Sequence, residues 1–78
     1  MADNYLRHFR QEALLSQAAL ARAAGLTAEM VRSIEAGRRP GGWRARKLLA
    51  RALDVPEQVL FPHHELPPAP PAELLRAA

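Results

Sequence analysis

Two helix-start signals and two helix-stop signals fall within 22 residues of this chain, from Ser16 to Gly37. Ser16 can cap a helix by accepting a hydrogen bond from a first-turn amide. Gly25 can end one by taking a left-handed backbone. Leu20, Ala21 and Ala24 share a face between those signals, so the spacing predicts a helix over 17–24. Leu26 can pack inward at the turn, and Thr27 is the next cap. Val31 and Ile34 give the following segment, 28–36, its inward face, and Gly37 stops it. These two helices are joined by a tight turn at Gly25.

The rest of the chain reads as helix too. Tyr5, Leu6, Phe9 and Ala13 recur at helical spacing and predict a first helix over about 4–13, with Asn4 as cap. Arg38 to Gly42 is a basic loop containing Pro40, Gly41 and Gly42. Trp43 to Leu53 follows as a fourth helix with an apolar stripe of Trp43, Leu49, Ala50 and Leu53. Pro56 to Phe61 is a short fifth, its proline near the first position. Apolar residues make up 49% of the chain, but 16 Ala and 12 Leu supply most of them, against five β-branched residues. That mix favours helix and nearly excludes a β-sandwich or barrel, so the five segments make an all-α, five-helix fold. Seventy-eight residues make one small domain, too short to line a large catalytic cleft.

After Pro62 the composition changes. Residues 1–62 are expected to form the domain and 63–78 a Pro-rich arm. Pro67-Pro68-Ala69-Pro70-Pro71 reads as extended polyproline, and 72–78 as two marginal helical turns bearing Leu74 and Leu75. The arm is either a flexible tail or a segment that packs on this domain or on a protein partner. No cysteine is present, which removes disulfides and cysteine-based zinc sites and suits a cytoplasmic protein. The first four residues lack the basic start and apolar run of a signal peptide, and no apolar stretch approaches the ~18 residues of a membrane span.

The charge is unevenly spread. Arg38, Arg39, Arg44, Arg46, Lys47 and Arg51 stand in fourteen residues without an acid. A basic patch on a small helical domain points to a polyanion, with nucleic acid ahead of a merely solvated surface. Ten of the eleven basic residues are Arg. That suits planar contacts to phosphate or guanine, and equally the codon habit of a GC-rich genome.

Ala21, Gly25, Val31 and Ile34 also fall in register with a known pattern. Counted from Gln17, they fill its small fifth, glycine ninth, and branched fifteenth and eighteenth positions. Ser16-Gln17-Ala18-Ala19-Leu20-Ala21 opens the pattern and Glu35-Ala36-Gly37 closes it. Leu53-Asp54-Val55 and Leu60 resemble its later helices. Over residues 5–61 the chain thus resembles the XRE family of helix-turn-helix regulators, the Cro and lambdoid repressor type. Two departures stand out. The family often has Gly where Leu14 stands, so the first helix is expected to run longer or end differently. Arg46 occupies a position that is usually apolar, leaving Trp43 as the expected anchor of the fourth helix.

The resemblance implies a lambda-repressor-like domain that binds double-stranded DNA with residues 28–36 in the major groove. Val31 and Ile34 would pin that helix to the core and leave Ala28, Glu29, Arg32 and Ser33 free as base contacts, with Met30 at the border. Arg32 can bond guanine through two acceptors or hold a phosphate. Glu29 can accept from a cytosine amino group or pair with Arg32. Gln17 matches the residue that grips a phosphate at a helix N-terminus. Arg38, Arg39 and Arg44 are positioned to clamp further phosphates. Arg10 and Glu35 match a structural ion pair joining the first helix to the end of the third. A dimer surface is implied near the fifth helix, where Val55, Val59, Leu60 and Phe61 cluster, so a homodimer on a two-fold operator is expected.

The expectation is a dimeric transcriptional regulator acting as a repressor, cytoplasmic and associated with the nucleoid, that needs no cofactor. An antitoxin or a restriction–modification controller protein autoregulating its operon fits the same features. A protein-interaction module that has lost DNA binding is the rival from another class. An enzyme is the least expected: no triad and no Gly-rich phosphate loop occurs, and adjacent His63-His64-Glu65 chelate one ion poorly, so no metal site is expected.

Overall fold

Leu6, Leu20, Val31, Ile34, Leu49 and Leu60, one or two from each of five helices, lose all contact with water and form the centre of the structure. The computed structural model describes residues 4–62. The five helices are α1 (Leu6–Glu12), α2 (Gln17–Ala24), α3 (Ala28–Glu35), α4 (Trp43–Leu53) and α5 (Glu57–Leu60), with no strand among the described residues. α2 packs on both α3 and α4, α1 lies against α3, and α5 closes over α4. The expected arm lies outside the described residues, as do Leu74, Leu75 and the His63-His64-Glu65 group.

The local signals act as their chemistry requires. Ser16 Oγ accepts from the Ala19 amide at 3.0 Å, and Thr27 Oγ1 from the Met30 amide at 3.1 Å. Gly25 turns the chain with φ +75°, and the Leu26 amide then donates to the Ala21 carbonyl at 2.8 Å. Ala21 is buried beneath that turn, where a larger side chain would push α2 off its neighbours. Asn4 Oδ1 accepts from the Leu6 amide at 3.0 Å and starts α1. Its Nδ2 donates to the Ile34 carbonyl at 2.9 Å, so one side chain begins α1 and ties it to the end of α3.

Several expectations need correction. α1 is shorter than 4–13 and buries only Leu6; Phe9 is half-buried, Ala13 is exposed, and Tyr5 precedes the helix with 54% of its surface in solvent. Tyr5 is held by its backbone instead, its amide donating to the Leu60 carbonyl at 2.9 Å. α1 ends where the family pattern has glycine, and Leu14 itself adopts the glycine-like backbone, φ +60°, with its side chain 91% exposed. Such a conformation costs an L-residue about 1–2 kcal/mol.

On α4 the roles of Trp43 and Arg46 are exchanged. Trp43 is 48% exposed, whereas Arg46 is buried in the apolar stripe with Ala45, Leu49 and Ala50. Arg46 is tolerated there because its charge is met: Nε donates to the Pro40 carbonyl at 3.0 Å, and the guanidinium lies 5.3 Å from the centre of the Phe61 ring. Burial lowers its pKa from the usual arginine value, and the Glu57 carboxylate opposes that fall.

Leu60 and Phe61 are fully or almost fully buried within this chain. The expected dimer cluster therefore loses two of its four members, because α5 is so short that its apolar residues are spent closing the domain's own core. Val59 is exposed and Val55 half-buried.

Candidate nucleic-acid interface

α3 is anchored by one face and open on the other. Val31 and Ile34 are buried beneath it, while Glu29 and Arg32 are exposed and Ala28 is half-buried. Met30 is half-buried and packs against the core. Arg32 Nη1 lies 2.5 Å from Glu29 Oε1, one turn apart, with both side chains more than half in solvent. Pairing of Arg32 with Glu29 is thus the arrangement the free chain adopts. An exposed pair of this kind contributes only about 0–1 kcal/mol and yields readily to a competing partner.

Ser33 does not belong to the open face. It is buried, and the Arg38 and Arg39 amides donate to its carbonyl at 3.0 and 3.3 Å where the chain leaves α3. Its hydroxyl lies 3.4 Å from Glu29 Oε2, so Ser33 supports Glu29 instead of offering a surface of its own.

Beside α3, the start of α2 and the end of α1 enclose a cleft lined by Arg7, Arg10, Ser16, Gln17, Arg32 and Glu35. Its floor is an ion pair. Arg10 Nε and Glu35 Oε2 are 2.5 Å apart, Arg10 Nη2 donates to Oε1 at 3.2 Å, and Arg10 Nη1 donates to the Leu15 carbonyl at 2.8 Å. The two side chains are 12% and 5% exposed. Gln17 Nε2 also donates to Glu35 Oε1, at 3.1 Å. Glu35 therefore orients Gln17 at the mouth of the cleft as well as holding Arg10, a link that Gln17 and Glu35, eighteen positions apart, do not betray in the sequence.

The loop after α3 is pinned from beneath. Gly37 and Gly41 both take left-handed backbones, and a Cβ at Gly41 would sit 3.2 Å from Ile34 Cδ1. The hydrogen bond from Arg46 to Pro40 holds the loop's far end. Arg38, Arg39 and Arg44 are all exposed around this fixed turn. Arg46 leaves the basic surface, since its charge is turned inward. Among the described residues no group of three His, Cys, Asp or Glu side chains could hold a metal ion, and no helix is long and apolar enough to cross a membrane.

An exposed helix face carrying an arginine in a weak surface pair, flanked by a cationic loop and a cleft that Arg7 and Arg32 line, is suited to a polyanion with a groove. A family model described as helix-turn-helix domain matches residues 4–61, the whole of this arrangement. The match agrees with the XRE-type pattern of residues 17–37. No curated protein matches the chain.

Proposed function

The chain belongs to the helix-turn-helix domain family, and from that premise we propose that it regulates transcription, as a repressor, by binding double-stranded DNA in a sequence-specific way. The observation that carries the proposal is the outward face of α3: Ala28, Glu29 and Arg32 stand on a helix whose other side is locked into the core.

In this reading α3 enters the major groove. Arg32 leaves Glu29 and bonds a guanine through its two acceptors, and Glu29 accepts from a neighbouring cytosine amino group. Ala28 offers its methyl group to a thymine methyl. Arg38, Arg39 and Arg44 hold phosphates on one side of the groove. Gln17 holds one on the other, using the amide hydrogen that Glu35 does not engage. One α3 reads only a few base pairs, so the protein acts as a two-fold dimer with half-sites about 34 Å apart. Val59 and Val55 are what remains of the α5 cluster for that contact.

Paired substitutions test the assignment of roles. Arg32→Ala is expected to lose about 1–3 kcal/mol per half-site on the preferred duplex and relax preference at one position in each. Arg39→Ala is expected to weaken every sequence alike. Equal losses by Arg32→Ala on preferred and random duplexes would make Arg32 a phosphate contact and refute its reading of a base.

A further inference from the structure

Trp43 is the one tryptophan of the chain, and the apolar pattern of α4 would place it in the core. It stands instead at the first turn of α4, 48% exposed, while Arg46 takes the buried position. An aromatic ring left half in water offers a large apolar face with little entropy to lose on binding. Its surroundings say what that face meets. Trp43 follows directly on the loop of Arg38 and Arg39 and precedes Arg44, all exposed. A second copy of this chain meeting the same surface would bring like charges together, which disfavours self-association there. An anionic partner is favoured.

The presentation is also fixed in advance. The Arg38 and Arg39 amides are bonded to the Ser33 carbonyl, Gly41 packs on Ile34, and Arg46 holds the Pro40 carbonyl. The loop therefore carries Trp43 at a set position relative to the end of α3, with little ordering left to do on binding.

We propose that Trp43 is a DNA-contact residue, laying its indole on the deoxyribose surface beside the phosphates held by the loop arginines. The inference rests on the DNA-binding reading of α3. It assigns this loop an apolar contact in addition to its ionic ones. Burying roughly 60 Å² of indole surface on each subunit at about 25 cal/mol/Å² corresponds to about a tenfold change in affinity per subunit.

Because there is one tryptophan, its emission reports this site alone. Labelled duplex anisotropy and tryptophan emission are followed together as duplex is titrated at several salt concentrations. The expected result is an emission change that tracks the anisotropy isotherm, with acrylamide access to the indole falling on binding. Trp43→Ala is expected to bind about tenfold more weakly per subunit, about a hundredfold for the dimer, with an unchanged salt slope; Trp43→Phe to retain most of the affinity; and Arg39→Ala to lower the slope by about one per subunit, about two for the dimer. Binding by Trp43→Ala within twofold of the natural chain would overturn the proposal. Should that variant melt early, unchanged acrylamide access in the natural chain on bound duplex overturns it instead. An emission change on concentrating the protein without DNA would assign the ring to a second copy and also overturn it. No anisotropy change at any salt would refute the DNA-binding reading itself, and this inference with it.

Discussion

Replacing Arg10 removes the cation from one of the most buried carboxylates in the domain. Glu35 has 5% of its side chain in solvent and receives two hydrogen bonds from Arg10 and one from Gln17. In Arg10→Met it keeps the neutral Gln17 amide, which is a weaker partner for a charge. Breaking a buried pair from one side typically costs about 3–5 kcal/mol. At about 0.05–0.15 kcal/mol per residue, a domain of this size has roughly 4–12 kcal/mol in total, so Arg10→Met is expected to bring it near unfolding. Glu35→Ala is expected to cost less. Arg10 is the more exposed partner, it keeps the Leu15 carbonyl, and its long side chain can move its charge outward. Urea unfolding of the two single variants and the double variant completes the cycle. The double variant is expected to lose less than the sum of the singles by about 2–3 kcal/mol, because no charge is left without its partner. Additive losses, within about 0.5 kcal/mol, would refute the claim that these side chains stabilise one another.

Further outcomes follow from the turns and caps. Leu14→Gly is expected to stabilise the domain by about 0.5–1 kcal/mol, since relief of the left-handed strain outweighs the entropy gained by the unfolded chain and an exposed side chain has little packing to lose. Calorimetry should show Tm rising by roughly 2–8 °C, and a fall would contradict the strain assignment. Gly25→Ala is expected to cost about 1–2 kcal/mol from its positive φ alone, because nothing lies within 4 Å of the added Cβ. Thr27→Ala is expected to cost about 1 kcal/mol through loss of the Met30 cap, read by the same melting experiment.

The parts of this structure that local chemistry decides were legible in the sequence. α2, α3 and α4 have the expected bounds to within a residue, because each begins and ends at a cap, a glycine or a left-handed turn that acts over one helical turn. The Arg10–Glu35 pair came from family resemblance and is present. What escaped depends on contacts distant in sequence. Ser33 reads as part of the outward face of α3, yet it is buried, its hydroxyl on Glu29 and its carbonyl receiving the Arg38 and Arg39 amides. Leu60 and Phe61 read as surplus apolar residues until α5 is seen to close the core. Arg46 left a usable signal: it sits three residues after Trp43 and three before Leu49, on the apolar stripe itself. Polarity alone argued against its burial. The Pro40 carbonyl and the Phe61 ring, which make burial tolerable, are brought to it by folding.

Selection of bound duplexes from a random pool, followed by titration of the best one at 50 to 200 mM salt, tests the central claim most directly. The enriched site is expected to carry a two-fold repeat with centres about one helical turn apart and to bind at least ~10³-fold more tightly than a scrambled duplex. Its affinity is expected to fall roughly 10³–10⁵-fold across that salt range, as for a dimer meeting about 6–10 phosphates. No enriched sequence, with selected and scrambled duplexes bound alike at every salt, would contradict sequence recognition by α3.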